Sequence, residues 1–241
     1  MSAPLLPKKK AAAVIMQNTP EANSTLRAFG ISVLHPAPDP LLQEETADHA
    51  DMLACAADAE TAFLAPGQNA LRQELESRGF ACRETAPLGK SYPADVRLNV
   101  AVTEDLAVGN FRYADPHLTE HLKKLGKRLL HLRQGYAKCS LCFVTNEAFI
   151  TEDAGIHAAL LEAGRDVLLI RAGGVRLSRV HHGFFGGATG LIAPDSLAVC
   201  GDLQTLPDGE RVVRFLEKYG VSPVSLWPGP VTDVGGILTI G

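Results

Sequence analysis

Hydrophobic and polar positions follow the same order in five stretches of the chain. In each stretch apolar residues recur three and four positions apart, as on one face of a helix, and a glycine and a short apolar run follow. A glycine just past a helix adopts the left-handed conformation that closes the last turn. The pattern predicts five helix–glycine–strand segments, which are 20–34, 68–82, 116–132, 154–170 and 208–226.

Two further apolar segments precede each of these helices except the first. They are 52–57 with 62–65, 96–102 with 106–108, 141–144 with 148–150, and 188–193 with 197–200. The predicted unit is therefore strand, strand, helix, strand. Its opening strands recur roughly every 43 to 49 residues, within the range of repeat architectures.

The two ends of the chain complete the repeat. The first unit has a single strand, 12–16, before its helix, and the chain ends with an unattached strand, 233–240. If these two strands pair, they close the array into a ring that leaves no exposed central edge. We find no linker, so we expect one domain over residues 1–241. Its five units are 12–34 with 233–240, 49–84, 95–132, 138–170 and 185–226.

Five motifs carry a resemblance that covers almost the whole chain. They are His49-Ala-Asp-Met52, Tyr92-Pro-Ala-Asp95 with Asn99, Gly135-Tyr-Ala-Lys-Cys-Ser-Leu-Cys142, Gly183-Phe-Phe-Gly-Gly-Ala-Thr-Gly190 and Asp233-Val-Gly-Gly236. In their order and spacing the chain resembles the penteins, the superfamily of guanidino-group-modifying enzymes, and within it an uncharacterised bacterial domain family. The resemblance implies an α/β fold, the five-bladed β/α propeller, in which the first strand of each unit lines a central cavity.

Composition and charge exclude several kinds of partner. A net charge of −4 gives no reason to expect nucleic acid, which usually needs a basic surface. No apolar run is long enough to cross a bilayer. The cysteines number five, an odd count that argues against a disulfide scaffold and for a reducing cytoplasm. The oligomeric state stays open.

Polar residues at the starts of the first strands are the candidates for a site. When the five units are aligned at the starts of their first strands, equivalent positions around the cavity are occupied by Asp51, Asp95, Lys138, the pair Gly186–Gly187 and Asp233. Three carboxylates that converge on one cavity repel each other unless a cation lies among them. Lys138 can balance one carboxylate, and a guanidinium or amidinium ligand can balance another.

Cys139 and Cys142 form a CxxC pair that has several interpretations. No second CxxC or nearby histidine pair completes a zinc site, so we expect no metal. A redox CxxC usually opens a helix, whereas this pair is predicted to enter a strand, where residues three apart face opposite sides. One thiol is then predicted to face the cavity and one to be packed. Because residues four apart share a face of a strand, Lys138 and Cys142 are predicted to face the same side. Cys142 is therefore the first candidate for the cavity-facing thiol, and Cys139 is the second. Asn99 likewise shares a face with Asp95.

His49 and Asp51 resemble the His-x-Asp element of the superfamily, in which the histidine moves protons and the aspartate holds the guanidinium. The pair His181–His182 before the glycine-rich segment is the rival candidate for the base. The hydrolases and transferases of the superfamily carry their nucleophilic cysteine near the C-terminus, at the start of the closing strand. Here that strand has no cysteine, so the chain departs from the pattern at the nucleophile.

The resemblance implies a hydrolase- or transferase-like enzyme for a small guanidine or amidine, without metal or organic cofactor. Cys142 or Cys139 would attack the central carbon, and His49 would donate a proton to the leaving amine and activate water. The cationic group would be held by Asp51, Asp95 and Asp233, with Asn99 as a neutral partner. The alternative is a non-catalytic pentein that binds a cationic ligand or a protein, since the superfamily also contains a ribosome-binding initiation factor.

Overall fold

A computed structural model of the chain describes residues 6–177 and 181–240. The α-helices are α1 (Pro20–Ala28), α2 (Ala50–Leu53), α3 (Asn69–Ser77), α4 (Pro116–Lys124), α5 (Ala137–Ser140), α6 (Ala154–Glu162) and α7 (Gly209–Lys218). The strands are β1 (Ala13–Ile15), β2 (Ser32–Leu34), β3 (Ala54–Ala56), β4 (Thr61–Leu64), β5 (Ala81–Glu84), β6 (Ala101–Val102), β7 (Leu106–Gly109), β8 (Arg128–His131), β9 (Leu141–Phe143), β10 (Ala148–Thr151), β11 (Asp166–Leu169), β12 (Thr189–Ala193), β13 (Ser196–Val199), β14 (Ser222–Ser225) and β15 (Leu238–Ile240). Short 3₁₀ turns lie at Glu44–Thr46, Gly186–Ala188 and Leu203–Thr205.

These strands form five three-stranded sheets, as the repeat predicts. In every sheet the middle strand runs antiparallel to one neighbour and parallel to the other, and a helix makes the parallel crossover. In the second sheet, for example, β4 pairs antiparallel with β3 and parallel with β5, and α3 connects β4 to β5. The last strand, β15, pairs antiparallel with β1, with Ala13 opposite Ile240. The chain ends therefore meet in one sheet, as predicted, and the fold class is α/β.

The five glycines that were predicted to end helices all do so. Gly30, Gly79, Gly126, Gly164 and Gly220 have φ angles between +68° and +90°, the left-handed region that favours glycine. The helix before each of them presents one buried apolar face to its sheet, as Leu71 and Leu75 do in α3. The periodicity of apolar residues and the glycines that follow them were thus sufficient to predict where these five helices lie in the sequence.

The starts of the first strands differ from the prediction. Asp51 lies in the helical turn α2 and Lys138 with Cys139 in the helical turn α5, and neither segment is extended. In the fifth sheet the 3₁₀ turn Gly186–Ala188 takes the same place before β12. The strand predicted over 96–102 is only Ala101–Val102. Polar residues at these starts are therefore presented by turns, and the two-residue alternation of a strand does not govern which way they face.

The closing strand is also shorter than predicted, since β15 begins only at Leu238. Gly235 and Gly236 have φ angles of +75° and +77°, which fold residues 233–237 into a turn. This turn is held by Gly187, whose carbonyl accepts hydrogen bonds from the backbone N–H groups of Val234 and Gly236. The turn brings Asp233 to the start of β12. No described helix combines the length and apolar composition that crossing a membrane requires.

Gly190 marks a close approach between β12 and the residue that precedes β15. A Cβ at position 190 would lie 2.1 Å from the carbonyl oxygen of Ile237, which is backbone and cannot rotate away. We expect Gly190→Ala to lower the free energy of unfolding by about 2–3 kcal/mol, the usual size of an overpacking effect. Urea unfolding followed by circular dichroism measures this change.

Gly155 in α6 provides the matched control. A Cβ there meets only the side-chain atom Oδ1 of Asp153, at 3.1 Å, and alanine is favoured over glycine within a helix. Gly155→Ala should change the free energy of unfolding by no more than about 1 kcal/mol. Equal losses for the two variants would mean that the contact between Gly190 and Ile237 does not hold the closing segment.

Candidate functional site

Polar residues from three separate motifs meet at one end of the channel between the sheets. His49 is the N-cap residue of α2, and Asp51 lies two residues further, with its backbone N–H donating to the carbonyl of Gly235 at 2.9 Å. This bond joins α2 to the turn that carries Asp233. Nδ1 of His49 lies 3.8 Å from Oδ1 of Asp233. The structure therefore brings together the His-x-Asp element and the C-terminal motif.

Asp233 is a buried carboxylate that is held mainly by backbone groups. Its Oδ2 accepts the N–H of Phe184 at 2.8 Å, and its Oδ1 accepts the N–H of Gly235 at 2.9 Å. Burial and, to a smaller extent, the negative charge of Asp51 raise its pKa to about 6, against the opposing effect of His49. A carboxyl group with this pKa gains or loses its proton close to neutral pH.

Asn99 links this cluster to the cysteine motif. Its Nδ2 donates to the Sγ of Cys139 at 2.9 Å and to the carbonyl of Asp51 at 3.1 Å. Its Oδ1 accepts the backbone N–H of Lys138 at 2.7 Å, which fixes the orientation of the amide. The helical turn α5 consequently directs Cys139 to the polar cluster, and Cys139 is 4% exposed.

The environment of Cys139 disfavours its thiolate. Burial raises its pKa well above the ordinary range, and the charges of Asp51 and Asp233 raise it further. The hydrogen bond from Asn99 acts in the opposite direction but is the smaller effect. No hydrogen bond connects Sγ of Cys139 with the imidazole of His49, both of which belong to the described residues. In the free protein this thiol is therefore protonated at neutral pH.

Several polar atoms of the cluster are buried and have no hydrogen-bond partner in the protein. They are Nε2 of His49, both carboxylate oxygens of Asp51 and Oδ1 of Asp95. An unpaired buried polar group costs about 1–3 kcal/mol, so such groups are few in folded proteins. Three of these four atoms are acidic oxygens, which a hydrogen-bond donor of positive charge would satisfy.

Lys138 places a positive charge near the carboxylate of Asp51. Gly236 separates them, since a Cβ at that position would lie 3.4 Å from Nζ of Lys138 and 3.6 Å from Oδ2 of Asp51. Nζ also lies 5.4 Å from the centre of the Phe143 ring. Among the described residues it has no ion-pair partner within 4.0 Å. A space bounded by an ammonium and a carboxylate therefore lies over Gly236.

Cys142 lies on the other side of Lys138, in a different environment. Together with Cys55 it lines an apolar cavity of about 70 Å³ inside the channel, which is covered at its far end by Leu6 and Pro7. Burial raises the pKa of Cys142 to about 11 and that of Cys55 to about 12, although Lys138 lowers both. The expected pairing of Cys142 with Lys138 is present, but the carboxylates and His49 lie with Cys139. Lys138 and Cys139 are helical, so the alternation of a strand does not govern which of the two thiols faces the carboxylates.

Two further polar residues belong to the cluster and were not predicted. Glu152 follows β10, and its Oε1 accepts the N–H of Phe185 at 3.0 Å. Burial, together with the charges of Asp233 and Asp153, raises its pKa to about 8, although the hydrogen bond from the Phe185 amide lowers it. Tyr136 donates its hydroxyl to Oδ2 of Asp95 at 2.7 Å, and its ring stacks on Phe184 with centres 6.1 Å apart.

Neither residue has a distinctive signal in the sequence. Glu152 lies next to Asp153, which is the N-cap of α6 as its position before the helix suggests. Tyr136 lies just before α5, inside the cysteine motif. Both residues are identified only by their positions in the fold. Glu152 lies at the channel end of a second strand, and Tyr136 lies at a helical turn.

The rival bases His181 and His182 lie on the surface. His181 is exposed and its Nδ1 lies 2.9 Å from a carboxylate oxygen of Glu45, while His182 is exposed and faces Gly173. His49 is 2% exposed and is the histidine within the cluster. Among the described residues, no group of three or more His, Cys, Asp and Glu side chains has the arrangement of a metal site.

The family model described as "Family of unknown function (DUF6873)" matches residues 14–238 of the chain. A search of curated proteins finds no match. Solved structures with the same fold include an amidinotransferase of saxitoxin biosynthesis from Microseira wollei, with 11% identity, a TM-score of 0.59 and coverage of 92% of this chain and 91% of that one.

Two other solved structures extend the comparison. The inosamine-phosphate amidinotransferase of Streptomyces griseus has 13% identity and a TM-score of 0.57, with coverage of 100% of this chain and 97% of that one. The DDAH of Pseudomonas aeruginosa in complex with citrulline has 9% identity and a TM-score of 0.54, with coverage of 96% and 99%. At these identities the similarity demonstrates the fold alone, and that fold is the pentein fold that the sequence motifs predict.

Proposed function

This chain belongs to the DUF6873 family, and we propose that its buried cluster binds the guanidinium or amidinium group of a small molecule and that Cys139 reacts with it. The observation that carries the proposal is the set of unpartnered buried acceptors on Asp51, Asp95 and His49. A planar cation with several N–H donors satisfies such acceptors in one step. The same cation balances the excess of carboxylates over Lys138.

The structural neighbours agree with this class of ligand. They include two amidinotransferases, a deiminase of agmatine and a DDAH bound to citrulline. These activities belong to the neighbours, and they support the proposal for this chain only through the shared fold. The arrangement of carboxylates in this chain supplies the independent argument.

In the proposed reaction Sγ of Cys139 adds to the central carbon of the bound cation. The thiol proton and the electron pair of the breaking C–N bond leave with the departing amine, to which His49 transfers the proton. The product of this half-reaction is an amidino group on sulfur. Water, or an amine in the case of transfer, then attacks the same carbon and restores the thiol. Nε2 of His49 is buried and has no partner, so it is available for both proton transfers.

The bound cation itself activates the thiol in this scheme. The pKa of Cys139 is raised partly by the negative charges of Asp51 and Asp233, and a cation between these carboxylates and Sγ opposes that effect. The nucleophile would then form only when its substrate is present. This explains how a buried thiol without a hydrogen-bonded base can serve as a nucleophile.

Binding without covalent chemistry is the second candidate function. Two observations favour it, namely the raised pKa of Cys139 and the lack of a hydrogen bond between its thiol and His49. In that case the carboxylates would hold a cationic ligand, and Cys139 would be a packed residue beside Asn99. The two candidates make the same prediction for reversible binding and different predictions for labelling of the thiol.

A pair of isosteric reagents separates these candidates. Chloroacetamidine is a cation, chloroacetamide is neutral, and each alkylates a thiol with loss of chloride. We expect chloroacetamidine to label Cys139 at least about tenfold faster than chloroacetamide does, because only the amidinium is attracted by the carboxylates. Peptide mass spectrometry after timed reaction at pH 7.5 gives both rates, and the half-buried Cys82 provides the internal reference for intrinsic reactivity.

Two serine variants complete the experiment. Cys139→Ser should abolish the cation-selective label, and Cys142→Ser should leave it unchanged because Cys142 lies in the apolar cavity. Equal rates for the two reagents at Cys139 would refute a cation-guided nucleophile. If acetamidine binds reversibly in calorimetry while Cys139 stays unlabelled, the site binds cations and performs no covalent chemistry.

A further inference from the structure

A second concave site lies outside the channel, on the outer side of the segment that carries Asp95 and Asn99. This pocket has a volume of about 540 Å³, within the range of small-molecule sites. Its walls come from residues 93–97, from the turn 111–114 and from α4. We propose that it binds a small organic anion, a phosphate or carboxylate attached to a planar body. The inference does not rest on the function proposed above.

Charge is the first argument for an anion. Three cationic side chains line the pocket, Arg97, Arg112 and Lys123, and none of them has an ion-pair partner within 4.0 Å among the described residues. The one acidic residue in the lining is Glu120, and its carboxylate pairs with Lys124 at 2.7 Å on the same helix. The positive groups around this concave surface are therefore not neutralised by the protein.

Arg97 is the most informative of the three. Its Nε is buried and has no hydrogen-bond partner, while its backbone carbonyl accepts the N–H of Asp115 at 2.9 Å and fixes the start of the side chain. The Nε edge of a guanidinium presents two parallel N–H groups that match two oxygens of a phosphate or carboxylate. Because Arg97 lines the pocket, an anion bound there can pair with its guanidinium group.

Aromatic rings form the second part of the site and account for the planar body. Phe111 and Tyr113 line the pocket, and Tyr113 is 37% exposed. The ring of Tyr113 meets that of Tyr92 edge to face, with centres 5.6 Å apart and planes at 78°. Stacking on an exposed aromatic ring contributes about 0.5–1.5 kcal/mol beyond the buried area, which favours phenyl-bearing anions over inorganic ones.

Phenyl phosphate is the probe for this site, with benzoate, inorganic phosphate and phenol as comparisons. Isothermal titration calorimetry at about 50 mM salt should give a 1:1 complex of phenyl phosphate with a Kd below about 1 mM. Inorganic phosphate should bind several times more weakly, and phenol should not bind. Affinity for benzoate equal to that for phenyl phosphate would assign a carboxylate ligand, and weaker affinity would assign a phosphate.

Charge-neutral variants locate the site. Arg97→Gln should weaken phenyl phosphate binding at least about tenfold, and Arg97→Lys should recover only part of that loss because the bidentate edge is missing. Glu120→Gln should strengthen binding about two- to fivefold, since it removes the only negative charge in the lining. Thermal melts of each variant show whether the fold is retained.

Lys124→Gln is a second test of charge, because it removes the ion-pair partner of Glu120, which lines the pocket. It should weaken phenyl phosphate binding about two- to fivefold, less than Arg97→Gln does. If phenyl phosphate shows no saturable binding, or if Arg97→Gln and Lys124→Gln weaken it equally, the pocket is not an anion site. Binding that persists unchanged in Arg97→Gln would overturn the inference in the same way.

Discussion

Asp51→Asn is expected to weaken binding of acetamidine about thirtyfold to a hundredfold while stabilising the free protein. Asp51 is 0% exposed, and neither of its carboxylate oxygens has a hydrogen-bond partner. Removing one partner of a buried charge pair costs about 2–5 kcal/mol, and 1.4 kcal/mol corresponds to a tenfold change in Kd. Calorimetry with acetamidine at pH 8 measures the affinity of the wild type and the variant.

The gain in stability follows from the same geometry. In the free protein the charge of Asp51 acts on the buried Asp233, so its replacement by a neutral amide relieves this repulsion. We expect the free energy of unfolding to rise by about 1–2 kcal/mol in urea titrations without ligand. A residue that serves only the fold would show the reverse, a loss of stability with no change in affinity.

Asp115→Asn is the control for this comparison. Asp115 is also 0% exposed, but its carboxylate accepts the backbone N–H groups of His117, Leu118 and Ala86 at 2.9, 3.2 and 3.3 Å. Its replacement should lower the free energy of unfolding by about 1 kcal/mol and leave the Kd of acetamidine within twofold of the wild type. If Asp51→Asn behaves like Asp115→Asn, the unpartnered carboxylate is not a ligand-binding group.

The sequence predicted the fold in more detail than it predicted the site. Five helices with their terminal glycines, and the pairing of the chain ends, depend on local periodicity and on counting units, both of which a single sequence contains. The cluster of His49, Asp51, Asn99 and Asp233 was likewise expected, because equivalent positions in a ring face the same cavity. Their burial and mutual contacts agree with that expectation, and their roles remain proposals.

The side-chain directions could not be predicted, because they depend on four-residue turns that have no periodicity of their own. The turn α5 directs Cys139 to Asn99, and Cys142, which was ranked first, lines the apolar cavity beside Cys55. Such a turn forms because tertiary contacts hold it, as the hydrogen bond from Lys138 N to Asn99 does here. Glu152 escaped notice for the same reason, since only the packing of β10 against Phe185 makes it part of the cluster.

The pH dependence of stability and of ligand binding should have opposite signs. Burial raises the pKa of Asp233 from 3.8 to about 6 and that of Glu152 from 4.5 to about 8. Both groups therefore bind protons more tightly in the folded state, and the stability they contribute is fully present below about pH 4 and is lost as pH rises through 6 and 8. We expect the free energy of unfolding of the ligand-free protein to fall by an amount on the order of 5 kcal/mol between pH 5 and pH 9.

Acetamidine binding should strengthen over the same range, about tenfold or more, because the amidinium stays charged while the carboxyl groups around it ionise. Glu152→Gln tests the dependence of stability and of affinity on pH above pH 7, since it removes the carboxyl group whose pKa is about 8. In this variant the stability should no longer fall between pH 7 and pH 9, and the affinity should no longer rise there. Glu162→Gln, at the exposed end of α6, should reproduce the wild-type curves. Ionisation of buried carboxylates destabilises the free protein and at the same time prepares the site for a cation. If stability and acetamidine affinity in the wild type both rise or both fall with pH, the site is not a cation site made of buried carboxylates.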